Sequence, residues 1–369
     1  VSKKLRVVGL SDACIGYGSP QITSFINSLQ KYYDAEGIII EPDDWSKPQK
    51  YSEYSNIMIK RILSNYEPYT ESSRIDYNIR AAQEIDKLKP DILVVFCTYC
   101  LPALFKINFK PKYTIYYAIE SIIMYGEFDV KMNRYISDKI DLVIFPEENR
   151  ARKDGERCNL LTVPKVILYN VSCSDIENKE VVPSNMRNGK ILNSGTIGKE
   201  YTFAHYYLEK KLQNIPIDLY GQIVGYDAPA LKHSFENLDG NVKYKGCIDL
   251  DTLNKIRKKY SYSIVIWTPE VERGLYAPSN KFFEAIQDGV PPITAPHPQH
   301  KMLVERYDCG IIMKDWSFNA FFEAINQAIK ICGTNRYNEL ISNCLKAKRL
   351  ELNWECQFEK VKRHLKKIN

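Results

Sequence analysis

The sequence predicts an α/β fold of two domains, each a parallel sheet wrapped in helices. Three observations carry this expectation. Short apolar runs alternate with helix-patterned stretches along the 369-residue chain. A polar stretch, 172–189, holds Asp, Glu, Asn, Ser and a Pro but little to bury, and it interrupts that rhythm near the middle. The length suits two α/β domains of roughly 150–200 residues each. The expected boundaries are 1–172 for the first domain, 173–189 for the linker, 190–345 for the second domain and 346–369 for an amphipathic C-terminal helix.

In the first half, the apolar runs predict strands at 6–9, 37–40, 92–96, 114–117, 142–145 and 166–168. Ser19 as cap and Pro20 as first helical residue open a helix whose Ile22, Phe25, Ile26 and Leu29 share one face. The Tyr-, Ser- and Lys-rich stretch 41–71 has weak periodicity and reads as loop plus a short helix. Past the linker, strands are expected at 191–194, 217–220, 242–244, 264–267, 292–294 and 310–313. Helices fill the gaps at 202–212, 250–259, 279–288 and 319–331. In the last segment, Trp354, Phe358, Val361 and Leu365 recur at helical spacing beside eight Lys/Arg and three Glu counted from Lys346 onward. This helix either docks with a solvated basic face or presents that face to an anionic membrane or acidic partner.

Composition narrows the function classes. The chain is 44% hydrophobic with a net charge of +6, and no run approaches the ~18–20 apolar residues of a membrane span. The opening residues lead straight into a strand, so no secretory leader is expected. Ten scattered cysteines read as reduced thiols of a cytoplasmic protein. Cys97 and Cys100 form a lone C-x-x-C without a second pair, which favours core packing over a metal. No Walker loop, G-x-S-x-G, G-x-G-x-x-G or nucleic-acid-binding motif is present.

The most informative stretch runs from Tyr276 to Ile293. Ser279 caps a helix whose first amides and positive dipole end face outward. Lys281 adds a full charge, and Glu284 follows one turn later. That end suits an anion such as a diphosphate, with a carboxylate placed to accept sugar hydroxyls. Asn193-Ser-Gly-Thr-Ile-Gly-Lys199 forms a matching loop. Its Gly195 and Gly198 open the backbone, while Thr196 and Lys199 offer a hydroxyl and a charge. In the first domain, Gly16, Tyr17 and Gly18 follow Asp12 in the loop after the first strand, where the backbone can approach a ligand. All five histidines lie past the linker. A general base on the first domain is therefore a carboxylate or tyrosine, with Glu120 the first choice and Asp12, Glu127 and Asp129 behind it. His297 and His300 fit either a cleft loop or the solvent-exposed surface, and no third metal ligand accompanies them.

Taken together, the chain resembles glycosyltransferases of the GT-B fold, which has two Rossmann-like domains facing a central cleft. The resemblance is closest to the retaining, nucleotide-sugar-dependent family 4 type. Pro278-Ser-Asn-Lys-Phe-Phe-Glu-Ala-Ile through Gly289-Val-Pro291 carries the most specific match. Asp141 to Arg150, Leu168-Tyr-Asn170, Val242 to Gly246 and Asn353-Trp-Glu355 match more loosely. The resemblance implies that Gly195 and Thr196 line a diphosphate pocket, that Ser279, Asn280 and Lys281 meet the phosphates, and that Glu284 holds the ribose. It puts Cys247 and Ile248 near the base, and Thr98 and Tyr99 on the acceptor side with Asp12, Gly16, Tyr17 and Gly18. Tyr276 stands where the family often has a first glutamate, and a histidine common at the first-domain strand end has no counterpart near Thr98.

The expected function is transfer of a sugar from a nucleotide diphosphate sugar to a hydroxyl of a glycan or lipid-linked acceptor in surface glycan assembly. The resemblance implies retention of configuration, no metal or other cofactor, a C-terminal helix crossing back to the first domain, and a cytoplasmic protein at the inner membrane face. Lys281, Glu284 and Glu120 are the expected catalytic residues. A non-catalytic glycan- or protein-binding relative and a sugar-nucleotide 2-epimerase are the alternatives.

Overall fold

The structure, a computed structural model, describes residues 4–49, 56–124, 126–172 and 181–365. It divides into two compact units, Val1–Cys173 with Gln357–Asn369, and Ser174–Cys356. Residues 173–180 of the expected linker, and Lys366 and Lys367 of the basic tail, lie outside the described residues.

Seven strands build the first unit: β1 Arg6–Leu10, β2 Glu36–Pro42, β3 Met58–Ile62, β4 Ile92–Phe96, β5 Tyr113–Tyr117, β6 Leu142–Phe145 and β7 Lys165–Ile167. They form one parallel sheet in the order β3-β2-β1-β4-β5-β6-β7. Covered on both faces, the central strands are continuous apolar runs, and every residue of β4 is buried. β3 corrects the sequence reading, which left 41–71 as loop and short helix. It is an edge strand with two cations in Met58-Ile-Lys-Arg-Ile62, and only Ile59 in it is fully buried. Ser19 sits at φ 47°, and its carbonyl accepts the Ile22 amide, so the first helix begins at Gln21 behind Pro20 rather than on a serine cap. The apolar face of that helix, Ile22, Phe25, Ile26 and Leu29, is fully buried as expected.

Six strands build the second unit: β8 Ile191–Ser194, β9 Ile217–Tyr220, β10 Val242–Gly246, β11 Tyr262–Val265, β12 Pro292–Thr294 and β13 Ile311–Ile312. Their order is β10-β9-β8-β11-β12-β13, again all parallel. The continuous helix expected over 202–212 does not form. Phe203 adopts φ 52°, which ends the short helix Lys199–Thr202, and two 3₁₀ turns follow at Ala204–Leu208 and Lys210–Leu212.

The last segment forms two helices, Asn335–Leu350 and Trp354–Leu365. The second carries the apolar stripe, and Trp354, Phe358, Val361 and Leu365 are all buried. From Gln357 onward it belongs to the first unit. There the Phe358 ring meets Phe25 edge-on at 5.8 Å, and the Tyr33 hydroxyl donates to the Leu365 carbonyl at 2.8 Å. Among the described residues no helix is long and apolar enough to cross a membrane.

Both sheets reverse direction of growth at their first strand. β1 has β2 on one side and β4 on the other, and β8 lies between β9 and β11. Ligands of open α/β sheets bind outside the carboxyl ends of strands at such a reversal. In each unit this gathers the two loops that follow the reversing strands.

Candidate functional site

In the second unit those loops bring the two motifs together. Gly195, just past β8, has φ 108°, a value that favours glycine, and the Lys281 Cε lies 3.5 Å from where a Cβ on it would stand. A Cβ on Gly221 would fall 1.6 Å from the Gly195 carbonyl oxygen, so the turns after β8 and β9 touch backbone to backbone. Thr196 is half-buried, and Lys199 is exposed at the start of its short helix. Ser194 is 7% exposed, and its Oγ has no hydrogen-bond partner. Strand alternation sets it on the face of Leu192, which packs with Leu253 of the helix Leu250–Arg257.

Lys281 and Glu284 lie on the helix Asn280–Gln287. Ser279 occupies the cap position, but its hydroxyl makes no capping hydrogen bond, which corrects the expected cap. Glu284 is held rather than free. Its Oε2 accepts from Lys281 Nζ at 3.2 Å and from Arg257 Nη1 at 2.8 Å. Arg257 is buried, with Nε on Asp288 Oδ2 at 2.7 Å and Nη2 on Asn254 Oδ1 at 2.9 Å. A buried guanidinium needs every nitrogen partnered, and here each bonds a different side chain. The sequence reading missed Arg257 because Lys255-Ile-Arg-Lys-Lys259 looks like a solvated basic face. Cys247 is exposed just past β10, while Ile248 is half-buried against Leu253 and Tyr260. Tyr276 is half-buried, and its amide donates to the Glu272 carbonyl.

His297 and His300 are not on the solvent-exposed surface; both are fully buried. His297 Nε2 accepts the Trp267 amide at 3.2 Å, which leaves Nδ1 to donate to the Leu275 carbonyl at 3.2 Å. It thereby braces the segment that leads from β11 to Ser279. Burial lowers its pKa to about 4, so the ring is neutral. His300 stacks on Phe282 at 4.1 Å and shares a hydrogen bond with Thr294 Oγ1 at 3.0 Å.

In the first unit, Gly16 and Gly18 take φ of 87° and 145°, and Tyr17 is exposed with its hydroxyl donating to the Pro48 carbonyl at 2.8 Å. Asp12 lies at the β1 end, where burial, opposed by a hydrogen bond from Cys97, raises its carboxyl to about 7. Cys97 has φ 63° and ψ 163°, a strained conformation for a residue with a Cβ. Both Cys97 and Cys100 are buried, and neither is in a disulfide. Thr98 is buried against the Tyr116 hydroxyl at 3.0 Å, so it faces the core rather than a ligand. Tyr99 is part-exposed and lines, with Asp12, a cavity of about 380 Å³ at the ends of β1 to β4. Glu120 is exposed and outside that lining, on a loop pinned by Arg150 through the Ala118 and Ile119 carbonyls at 3.0 and 2.9 Å. Of the other base candidates, Asp129 is buried and paired with Arg74 at 3.1 Å, and Glu127 pairs with Lys131 at 3.6 Å.

Two parallel sheets of seven and six strands with this connectivity define the GT-B class of fold. Solved structures of that class match the whole chain. A sucrose-phosphate synthase from Thermosynechococcus elongatus has a TM-score of 0.74 at 14% identity, over 99% of this chain and 99% of its own. HepE from Anabaena, in complex with UDP and glucose, has a TM-score of 0.72 at 14% identity, over 98% of this chain and 100% of its own. WaaG, a glycosyltransferase involved in lipopolysaccharide biosynthesis, has a TM-score of 0.67 at 11% identity, over 97% of this chain and 98% of its own. No family model matches the chain, and no curated protein matches it in sequence.

Proposed function

We propose that the protein is a glycosyltransferase that moves a sugar from a nucleotide diphosphate sugar to a hydroxyl of a glycan or lipid-linked acceptor. The observation that carries this reading is the convergence of Gly195, Lys281 and Glu284 at the strand reversal of the second unit. A glycine-opened backbone, an ammonium and a braced carboxylate are the groups that a diphosphate joined to a ribose needs. The acceptor oxygen bonds to the anomeric carbon as its bond to the diphosphate breaks. The electron pair leaves with the diphosphate, and the acceptor proton is released with it. Lys281 and the Gly195 loop stabilise the charge that grows on the departing phosphate. The family 4 resemblance supports retention of configuration and catalysis without a metal. The basic face of the last helix supports a cytoplasmic protein held at an anionic membrane.

A thermal-shift screen against UDP, GDP, ADP and CMP and their sugar conjugates tests the reading. The UDP held by HepE makes uridine nucleotides the first choice. A ligand at 100 times its Kd stabilises by about 2.7 kcal/mol. The shift should vanish in Glu284→Ala, and Lys281→Met should weaken a nucleoside diphosphate more than the parent nucleoside. Absence of a shift with every nucleotide would remove the transferase reading.

A further inference from the structure

The cavity of the first unit lies wholly within that unit, at the reversal point of its sheet. Its volume of about 380 Å³ suits a sugar unit. Tyr69, largely exposed, and Tyr99, about one-third exposed, contribute ring surface to its wall, each with a cation over its ring. Rings of this kind stack on the C–H face of a pyranose. The charged lining is almost all of one sign. Asp43, Asp44, Glu71 and Asp76 line it with a single cation, Arg74, whose guanidinium is already bonded to Asp129 at 3.1 Å and spread over the Tyr99 ring at 4.5 Å. An entering anion therefore meets carboxylates and two cations already engaged, Arg74 and the Lys47 whose ammonium lies 5.0 Å over the Tyr69 ring and 2.8 Å from Asp44. Sugar hydroxyls or an ammonium group instead find acceptors.

We propose that this cavity is the acceptor pocket and that it takes a neutral or amine-bearing sugar ring while rejecting phosphorylated sugars. This rests on the transferase reading above. Charge repulsion, not size, makes the discrimination, since the volume alone would admit a hexose phosphate.

Saturation-transfer NMR on the full chain, with UDP present, tests it using methyl glucoside, glucosamine and glucose 6-phosphate at equal concentration. Transfer to the ring protons of the first two is expected, with that to glucose 6-phosphate at least about tenfold weaker. Tyr99→Ala should abolish transfer to all three. Asp43→Arg should raise the glucose 6-phosphate signal relative to glucosamine. Glu71→Lys, at an exposed first helical turn, should do the same should the first variant not fold. Equal transfer to all three sugars, or no transfer while UDP still stabilises the protein, overturns the pocket assignment and leaves the donor site standing. No transfer together with no UDP stabilisation overturns both.

Discussion

Asp12 is a carboxyl whose ionisation the fold resists, and its charge is sensed by Cys97, Glu120, Tyr77 and Cys100 around it. Its pKa rises from an ordinary 3.8 to about 7 because burial disfavours the anion. Between those values the folded chain binds a proton that the unfolded chain does not. Stability from this group therefore falls as pH rises from about 4 to 7, and the penalty is complete above 7. Asp12→Asn should gain on the wild type as pH is raised from 5 to 8, measured by urea midpoints at each pH. A constant difference would show that Asp12 does not titrate there. Residues differ in how well sequence exposes them. Gly195 past its strand, and Lys281 and Glu284 on the first turns of their helix, stand in the local structure that the sequence pattern predicts. Ser279 was half legible, since its position as cap is right and its expected hydrogen bond is absent. Thr98 was misread because nothing in Cys97-Thr-Tyr-Cys100 shows which side chain turns inward.

At the scale of elements, the helices Leu250–Arg257 and Asn280–Gln287 are tied by one guanidinium. Removing a partner from a buried ion pair leaves an uncompensated charge and costs about 3–5 kcal/mol. Arg257→Met should lose that much in equilibrium denaturation, and adding Asp288→Asn should restore part of it by removing the stranded acid. A double variant no more stable than the single one would place the loss in packing of the side-chain stem. The same scale shows why β3 and the 202–212 segment escaped the sequence. An edge strand with two cations among its five residues lacks the apolar run that marked the inner strands. In the second case, the apolar spacing of Tyr206, Tyr207 and Leu212 suits 3₁₀ turns as well as a helix. The left-handed Phe203 that separates the two leaves no trace in composition.

For the whole molecule, the alternation of strands and helices made the two-sheet architecture readable in every strand but β3, because parallel sheets bury both faces and write unbroken apolar runs. What alternation cannot record is which strand lies beside which. The strand order, and with it the pairing of distant loops at each reversal, had to come from the structure. The closing helix offers a test at this scale. Phe358 is 4% exposed against Phe25, and Phe358→Ala should cost the first unit about 3–5 kcal/mol. Urea denaturation followed by hydrogen exchange should show early exchange in β4 and β5 while the second unit keeps its transition. Unchanged exchange in those strands would mean that the helix is not part of that core.

Residues 357–365 belong to a unit whose other residues end at Cys173, so the first unit is begun before the second in synthesis and finished after it. At roughly 5–20 residues per second, the ribosome needs on the order of ten seconds or more to make the intervening segment. Throughout that time the nascent first unit lacks the helix that covers Phe25 and Tyr33. The inner unit, whose residues run without interruption, is the first to have everything it needs.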